Sequence, residues 1–207
     1  MQKLNVPELK KLLTEWSYPD PLRPLAQQML KEILDEHPPR KLPKIIHLCG
    51  IPGSGKSTYA LRLQREHRDH YVLSFDHIMS QLPGYKTDCT TVGLKQAFAN
   101  WELPARGLGY YFLQTLLSAK RSIIFDHTAA NESHISLLQQ ISAGPYRVEL
   151  HYLHCEIGIA YARIKKRESE VQRYTPKRYL TERATLLNRL LPVYQQVVDR
   201  YVEVEQK

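Results

Sequence analysis

The sequence predicts an α/β fold on a mainly parallel sheet with helices on both faces, and three observations carry that prediction. Short apolar runs of strand length recur at 44–49, 71–76, 121–126 and 146–154, with helix-like stretches between them. Alternation of that kind implies parallel strands joined by helical crossovers. The first run leads directly into a glycine-rich loop that opens a helix, and the second and third each end on an acid, Asp76 and Asp126. In open α/β sheets ligands bind at the carboxyl ends of the strands, so loop and acids are expected around one cleft.

In chain order, residues 1–43 precede the first strand and read as a helical appendage. Pro7 to Trp16 and Pro21 to Glu36 are expected as helices, the second opened by Asp20-Pro21, with prolines at 38, 39 and 43 ending the segment. Lys44 to Cys49 is strand one. Thr58 to Gln64 reads as a helix, Tyr71 to Asp76 as strand two, and residues 84–108 as a long, loosely patterned insertion with some helix. Such an insertion between core strands is expected to build a substrate pocket. Leu108 to Ala119 is helical, and Arg121 to Asp126 is a strand. Residues 127–131 form a loop and Glu132 to Ser142 a helix, followed by a strand from Tyr146 to His154. Gly158 to Arg167 is again helical, 168–174 a charged loop, and Thr175-Pro176 the start of a last helix that Pro192 kinks or splits. Tyr201 to Glu205 reads as an edge strand. Residues 44–207 are thus expected as one domain, with 168–175 as its lid.

The composition, 43% hydrophobic and 24% charged over 207 residues, is that of a globular domain. No apolar run reaches the length of a membrane span. Cys49, Cys89 and Cys155 are scattered, with no C-x-x-C pair, and the first residues hold no signal-like apolar core. A reducing, cytoplasmic setting is expected, with no membrane partner. The net charge of +8 is concentrated between residues 163 and 189, with nine Lys/Arg against three acids. Aromatics are not interleaved through that block, which favours a phosphate-handling lid over a nucleic-acid footprint.

The loop Gly50-Ile51-Pro52-Gly53-Ser54-Gly55-Lys56-Ser57-Thr58 fits G-x-x-x-x-G-K-[ST] in its strand–loop–helix context. Its amides are expected to cradle the phosphates of ATP or GTP, with Lys56 on the β- and γ-phosphates and Ser57 on Mg²⁺. The fold is therefore expected to be of the P-loop kinase type. Asp76 is the candidate base toward an acceptor hydroxyl; the alternatives are a water-bridged Mg²⁺ ligand or a helix cap. Asp126 sits like the acid of a Walker B strand and would hold Mg²⁺ through water, bind the substrate or cap a helix. Arg163, Arg167 and Arg173 are candidates for stabilising charge on the transferring group, since guanidinium forks match phosphate oxygens. His127, His151 and His154 show no metal-ligand spacing and read as ordinary histidines.

On these stretches the chain resembles the zeta-toxin family of P-loop kinases, with polynucleotide kinases as near relatives. The likeness is carried by the glycine loop, by Asp76 with Pro83-Gly84-Tyr85, by Ile123-Ile124-Phe125-Asp126 with Thr128, and by Arg173-Tyr174-Thr175-Pro176-Lys177. The resemblance implies Asp76 as the catalytic aspartate, Asp126 and Thr128 in the substrate site, and Arg173 on the nucleotide phosphates. A second family arginine falls at Arg163 or Arg167. It further implies an acceptor such as UDP-N-acetylglucosamine or a related nucleotide sugar, and an antitoxin protein as a partner. Asp126 stands where the family usually has Glu. Met79 stands where polynucleotide kinases carry an arginine, which favours a small-molecule acceptor over an RNA or DNA 5′-hydroxyl. A nucleotide-gated interaction module without transfer activity is the remaining alternative.

Overall fold

The structure, a computed structural model, describes residue 4 and residues 6–171 and 174–204. Five strands form one sheet in the order β2-β3-β1-β4-β5, and every neighbouring pair is parallel. They are β1 (Lys44–Cys49), β2 (Tyr71–Ser74), β3 (Ile123–Asp126), β4 (Arg147–Leu153) and β5 (Arg200–Val204). Inserting β3 between β1 and β2 brings the carboxyl ends of all three together. Leu48 pairs with Asp126, and Asp126 with Ser74.

The central strands are covered on both faces, and their side chains alternate between two cores, as the two-residue period of a strand requires. Ile45 and Cys49 of β1, with Ile123 and Phe125 of β3, join the large core. Ile46, Leu48 and Ile124 point the other way, onto Ala60 and Leu63 of α3 (Lys56–Glu66). The large core extends into the N-terminal segment. There α1 (Pro7–Glu15) buries Leu9 and Leu12, and α2 (Arg23–Glu36) buries Ala26, Leu30 and Ile33 at helical spacing. Asp20 lies in a short 3₁₀ turn ahead of α2 and forms a salt bridge with Arg23 rather than a side-chain cap.

Several expectations are corrected. Strand β2 stops at Ser74, because the Ser74 hydroxyl accepts from the His77 N–H (3.4 Å) and starts α4 (Phe75–Gln81). Phe75 and Asp76 therefore occupy the first turn of a helix. The stretch 84–108 is helical almost throughout. It forms α5 (Pro83–Thr91), opened by a proline, and the first half of α6 (Leu94–Ser118), which continues through Pro104. Small residues let α6 pack closely. A Cβ on Gly109 would lie 2.0 Å from the Phe75 ring, and one on Gly107 2.6 Å from the Trp16 carbonyl.

After α7 (Ser133–Ser142) and β4, α8 (Ile157–Val171) runs about one turn past its expected end at Arg167. The last helix, α9 (Arg178–Val197), starts two residues after Pro176 and keeps Pro192 inside it. The Thr175 hydroxyl does not cap α9; it accepts a hydrogen bond from Arg167.

Candidate active site

The P-loop follows β1 directly. Gly53 and Gly55 have φ of +83° and +86°, a region where a side chain is strained. At Gly53 space forbids one as well: a Cβ would sit 2.5 Å from the Ala160 carbonyl of α8. The loop therefore packs against α8 and leads into α3, at whose start the helix dipole adds positive potential. The Lys56 ammonium, largely buried, donates to the carbonyls of Gly50 and Ile51, each at 2.9 Å. The Ser57 hydroxyl donates to the Asp126 carboxylate at 2.8 Å. That pair is a set of hard oxygen donors, the kind a small divalent cation takes.

A cavity of about 340 Å³ opens in front of this loop. Its lining includes Gly53, Gly55, Lys56, Ser57 and Thr58 of the loop and helix start, together with Asp126, Arg163 and Arg167. Asp76 lines the same cavity from the exposed first turn of α4. Arg163 and Arg167 stand one helical turn apart on α8, so both reach the cavity from one face. Arg163 lies 3.5 Å from the Gly53 carbonyl and 3.8 Å from Cys155. Arg167 is more enclosed. Its Nη2 donates to Thr175 at 2.7 Å, while its Nε is buried without a partner among the described residues. Burial holds its pKa below the usual arginine value, opposed by the Asp126 charge. Thr128 lines the cavity too, its hydroxyl accepting from the Ala130 N–H at 3.4 Å. The Thr128 carbonyl accepts from the Gly50 N–H at 3.2 Å, joining the P-loop to the loop after β3. Arg173 lies outside the described residues.

The rest of the lining includes residues of the 84–108 stretch, expected to build a substrate pocket, but the particular side chains are not singled out by the sequence. Phe75, Met79, Phe98, Glu102, Ala105 and Arg106 come from α4 and α6, and Tyr179 and Arg183 from α9. Glu102 accepts from Arg106 at 2.6 Å and from the Tyr179 hydroxyl at 3.2 Å. Arg183 lies over the Tyr179 ring and donates to the Ala130 carbonyl at 2.8 Å. Two guanidiniums against one carboxylate leave this wall positive. The signal that could have found it is the spacing of Glu102 and Arg106, four apart on one helix face.

Behind the site, His47 and His134 are fully buried and His127 lines the cavity wall. Their ligand nitrogens lie within 4.8 Å of one another. The group does not fit a metal, because His127 and His134 stack at 4.5 Å with planes 28° apart, so their in-plane lone pairs do not converge. A directed hydrogen-bond chain uses the nitrogens instead. His47 Nδ1 donates to the Leu48 carbonyl (2.8 Å), His134 Nδ1 donates to His47 Nε2 (2.9 Å), and Tyr110 donates to His134 Nε2 (3.0 Å). Burial lowers the pKa of all three histidines, that of His47 to about 4. His151, bonded to Tyr59 at 2.8 Å, and exposed His154 do not line the cavity. Cys49 is buried, as its strand setting suggests, while Cys155 is only partly so.

A parallel sheet carrying this glycine loop, with a Ser–Asp pair and basic helix at its mouth, defines a P-loop phosphotransferase. The chain belongs to the Zeta toxin family, whose signature it matches over residues 28–206. No curated protein sequence matches it significantly. Among solved structures it is similar to one from the PezAT chromosomal toxin–antitoxin system of Streptococcus pneumoniae. That match has a TM-score of 0.75 and 18% identity, covering 92% of this chain and 80% of the other. It is also similar to the AvrRxo1-ORF1:-ORF2 complex, with TM-score 0.61, 15% identity and coverage of 95% and 68%. A third is a putative kinase from Chloroflexus aurantiacus, with TM-score 0.53, 16% identity and coverage of 79% and 85%. At these identities the structural likeness speaks for the fold.

Proposed function

We propose that this zeta-toxin-family kinase transfers the γ-phosphate of ATP to a hydroxyl of a small molecule, with UDP-N-acetylglucosamine or a related nucleotide sugar as the first acceptor to test. The observation that carries the reading is one cavity whose lining combines the P-loop with Lys56, the positive group of Arg106 and Arg183 around Glu102, and Asp76. The positive wall suits an acceptor that is itself anionic. The buried Arg167 Nε, unpartnered among the described residues, and the loop's crowded glycines fit a triphosphate tail, and the Ser57–Asp126 oxygens fit Mg²⁺. Bound there, Mg²⁺ would neutralise charge on the β- and γ-phosphate oxygens.

In this mechanism Lys56 leaves the Gly50 and Ile51 carbonyls for phosphate oxygens. Arg163 and Arg167 flank the transferring group, and Arg173 would join them. Asp76 accepts a hydrogen bond from the acceptor hydroxyl, orients it and takes its proton as the new P–O bond forms and the bond to the β-phosphate oxygen breaks. Thr128 and the wall of α6 and α9 hold the acceptor. The 168–175 stretch would close over the phosphates as a lid. A toxin–antitoxin setting, like that named for the streptococcal structure, is proposed for this chain too.

The test is incubation with γ-labelled ATP and pooled metabolites including UDP-N-acetylglucosamine, followed by identification of the labelled product. Asp76→Asn should abolish transfer and leave ATP binding within about threefold; turnover at the wild-type rate removes Asp76 as base. Label on RNA or DNA 5′ ends would assign a polynucleotide acceptor instead. ATP binding with no transfer to any acceptor would assign an interaction module.

A further inference from the structure

One side chain at the cavity wall has no part in the mechanism above, although its donor is fully built. His127 lies between Asp126 and Thr128 and faces the cavity. Its ring is clamped between neighbours, stacked on His134 at 4.5 Å and on Phe125 at 5.4 Å, with Phe75 edge-on at 5.3 Å. His134 is itself fixed by His47 and Tyr110. The Ala129 N–H donates to His127 Nδ1 at 3.2 Å. A ring nitrogen that accepts carries no proton, so the proton of His127 resides on Nε2. The turn that sets this geometry holds Ala129 at φ +58°, an uncommon conformation for a residue with a side chain. It is pinned by the Tyr194 hydroxyl on the Ala129 carbonyl and by Arg183 on the Ala130 carbonyl, each at 2.8 Å.

No hydrogen bond among the described residues uses His127 Nε2, and it is not one of the enclosed polar atoms that lack a partner. Its partner therefore comes from the cavity. Ring plane, tautomer and loop are all set before a ligand arrives, which is what preorganised recognition requires.

We propose that His127 is a specificity-determining residue of the acceptor site, its Nε2–H donating to an acceptor oxygen beside the hydroxyl that is phosphorylated. The proposal rests on reading the cavity as a kinase site. A lone N–H donor in a walled position selects a molecule that presents an oxygen lone pair there. It disfavours analogues that place hydrogen, methyl or ammonium at that point, because donor and wall would be left unpaired.

The test uses the full chain, His127→Phe, which keeps an aromatic ring without the donor, and His127→Gln, which restores an N–H near the Nε2 position. With γ-labelled ATP, the acceptors are UDP-N-acetylglucosamine and a pool of other nucleotide sugars and free sugars. His127→Phe should raise the acceptor KM roughly 10- to 100-fold. The KM for ATP should stay within about twofold, and His127→Gln should recover most of the loss. An unchanged acceptor KM in His127→Phe, or an equal rise for ATP, overturns the proposal.

A second measurement does not depend on turnover or on the variants folding. The imidazole Nε2–H resonance of His127 in wild-type protein is followed by NMR as the same pool is added with a non-hydrolysable ATP analogue. A resonance that moves with the analogue, when the separate γ-labelled ATP assay shows no transfer to any acceptor, sinks the kinase reading and keeps the recognition role. A resonance that stays put, with or without turnover, sinks the role.

Discussion

At the scale of single residues, sterics and burial decide which positions tolerate change. Gly53 combines a φ of +83° with a Cβ position 2.5 Å from the Ala160 carbonyl, and both atoms in that clash are rigid. Gly53→Ala should therefore push the P-loop off α8 and weaken ATP binding by roughly tenfold or more, as calorimetric titration would read, through backbone strain of about 1–3 kcal/mol. His47 makes a second case. Burial lowers its pKa to about 4, against about 6.5 in an unfolded chain. The unfolded state therefore binds the extra proton first as pH falls. The stability that neutral His47 contributes is whole above pH 6.5 and is lost progressively between pH 6.5 and 4, by up to about 3 kcal/mol. Urea melts across that range should show the decline. His47→Gln should flatten its upper part, starting from a lower stability at neutral pH.

Among elements, α8 does most to complete the site. It buttresses Gly53 from behind and carries Arg163 and Arg167 on one face. Arg167 is enclosed, bonded at Nη2 and, among the described residues, unpartnered at Nε, so in the proposed mechanism its planar fork and not its charge alone would meet the phosphate. Arg167→Lys should lose about as much kcat as Arg167→Ala, at least tenfold, whereas a solvated arginine would be rescued by lysine. The elements nearest the sequence motifs were the most legible. Lys44 to Cys49 was read with its true bounds, because an apolar run between Pro43 and Gly50 admits little else. The Gly50–Ser57 loop and the strand ending on Asp126 were equally plain. What escaped lies where tertiary packing overrides local pattern. Residues 84–108 read as loose because the first half of α6 buries the small residues Ala97, Ala105 and Gly107, its large buried residues starting only at Leu108. With that helix unseen, Glu102, Arg106 and their partners on α9 could not be brought to the cavity. Thr175 was read as a cap, but its hydroxyl serves Arg167, a contact across the chain that spacing does not encode.

Taken whole, the molecule has a continuous large core, which runs from Leu9 and Leu12 of α1 through α6 to Phe125 and Tyr194. The N-terminal helices are packed into the same core as the sheet, so thermal unfolding should be a single calorimetric transition. Leu12, 1% exposed, fills the core, and Leu12→Ala should leave a cavity there and cost about 2–5 kcal/mol across that one transition. Two separate transitions would show the N-terminal helices to be an independent unit. The backbone bond from Gly50 to the Thr128 carbonyl has a consequence at this same scale. It ties the P-loop, the proposed floor for the nucleotide, to the turn proposed to face the acceptor, so ordering either loop lowers the entropy left to lose in the other. The two ligands should then bind synergistically, each tightening the other's dissociation constant by the same factor, as thermodynamic reciprocity demands.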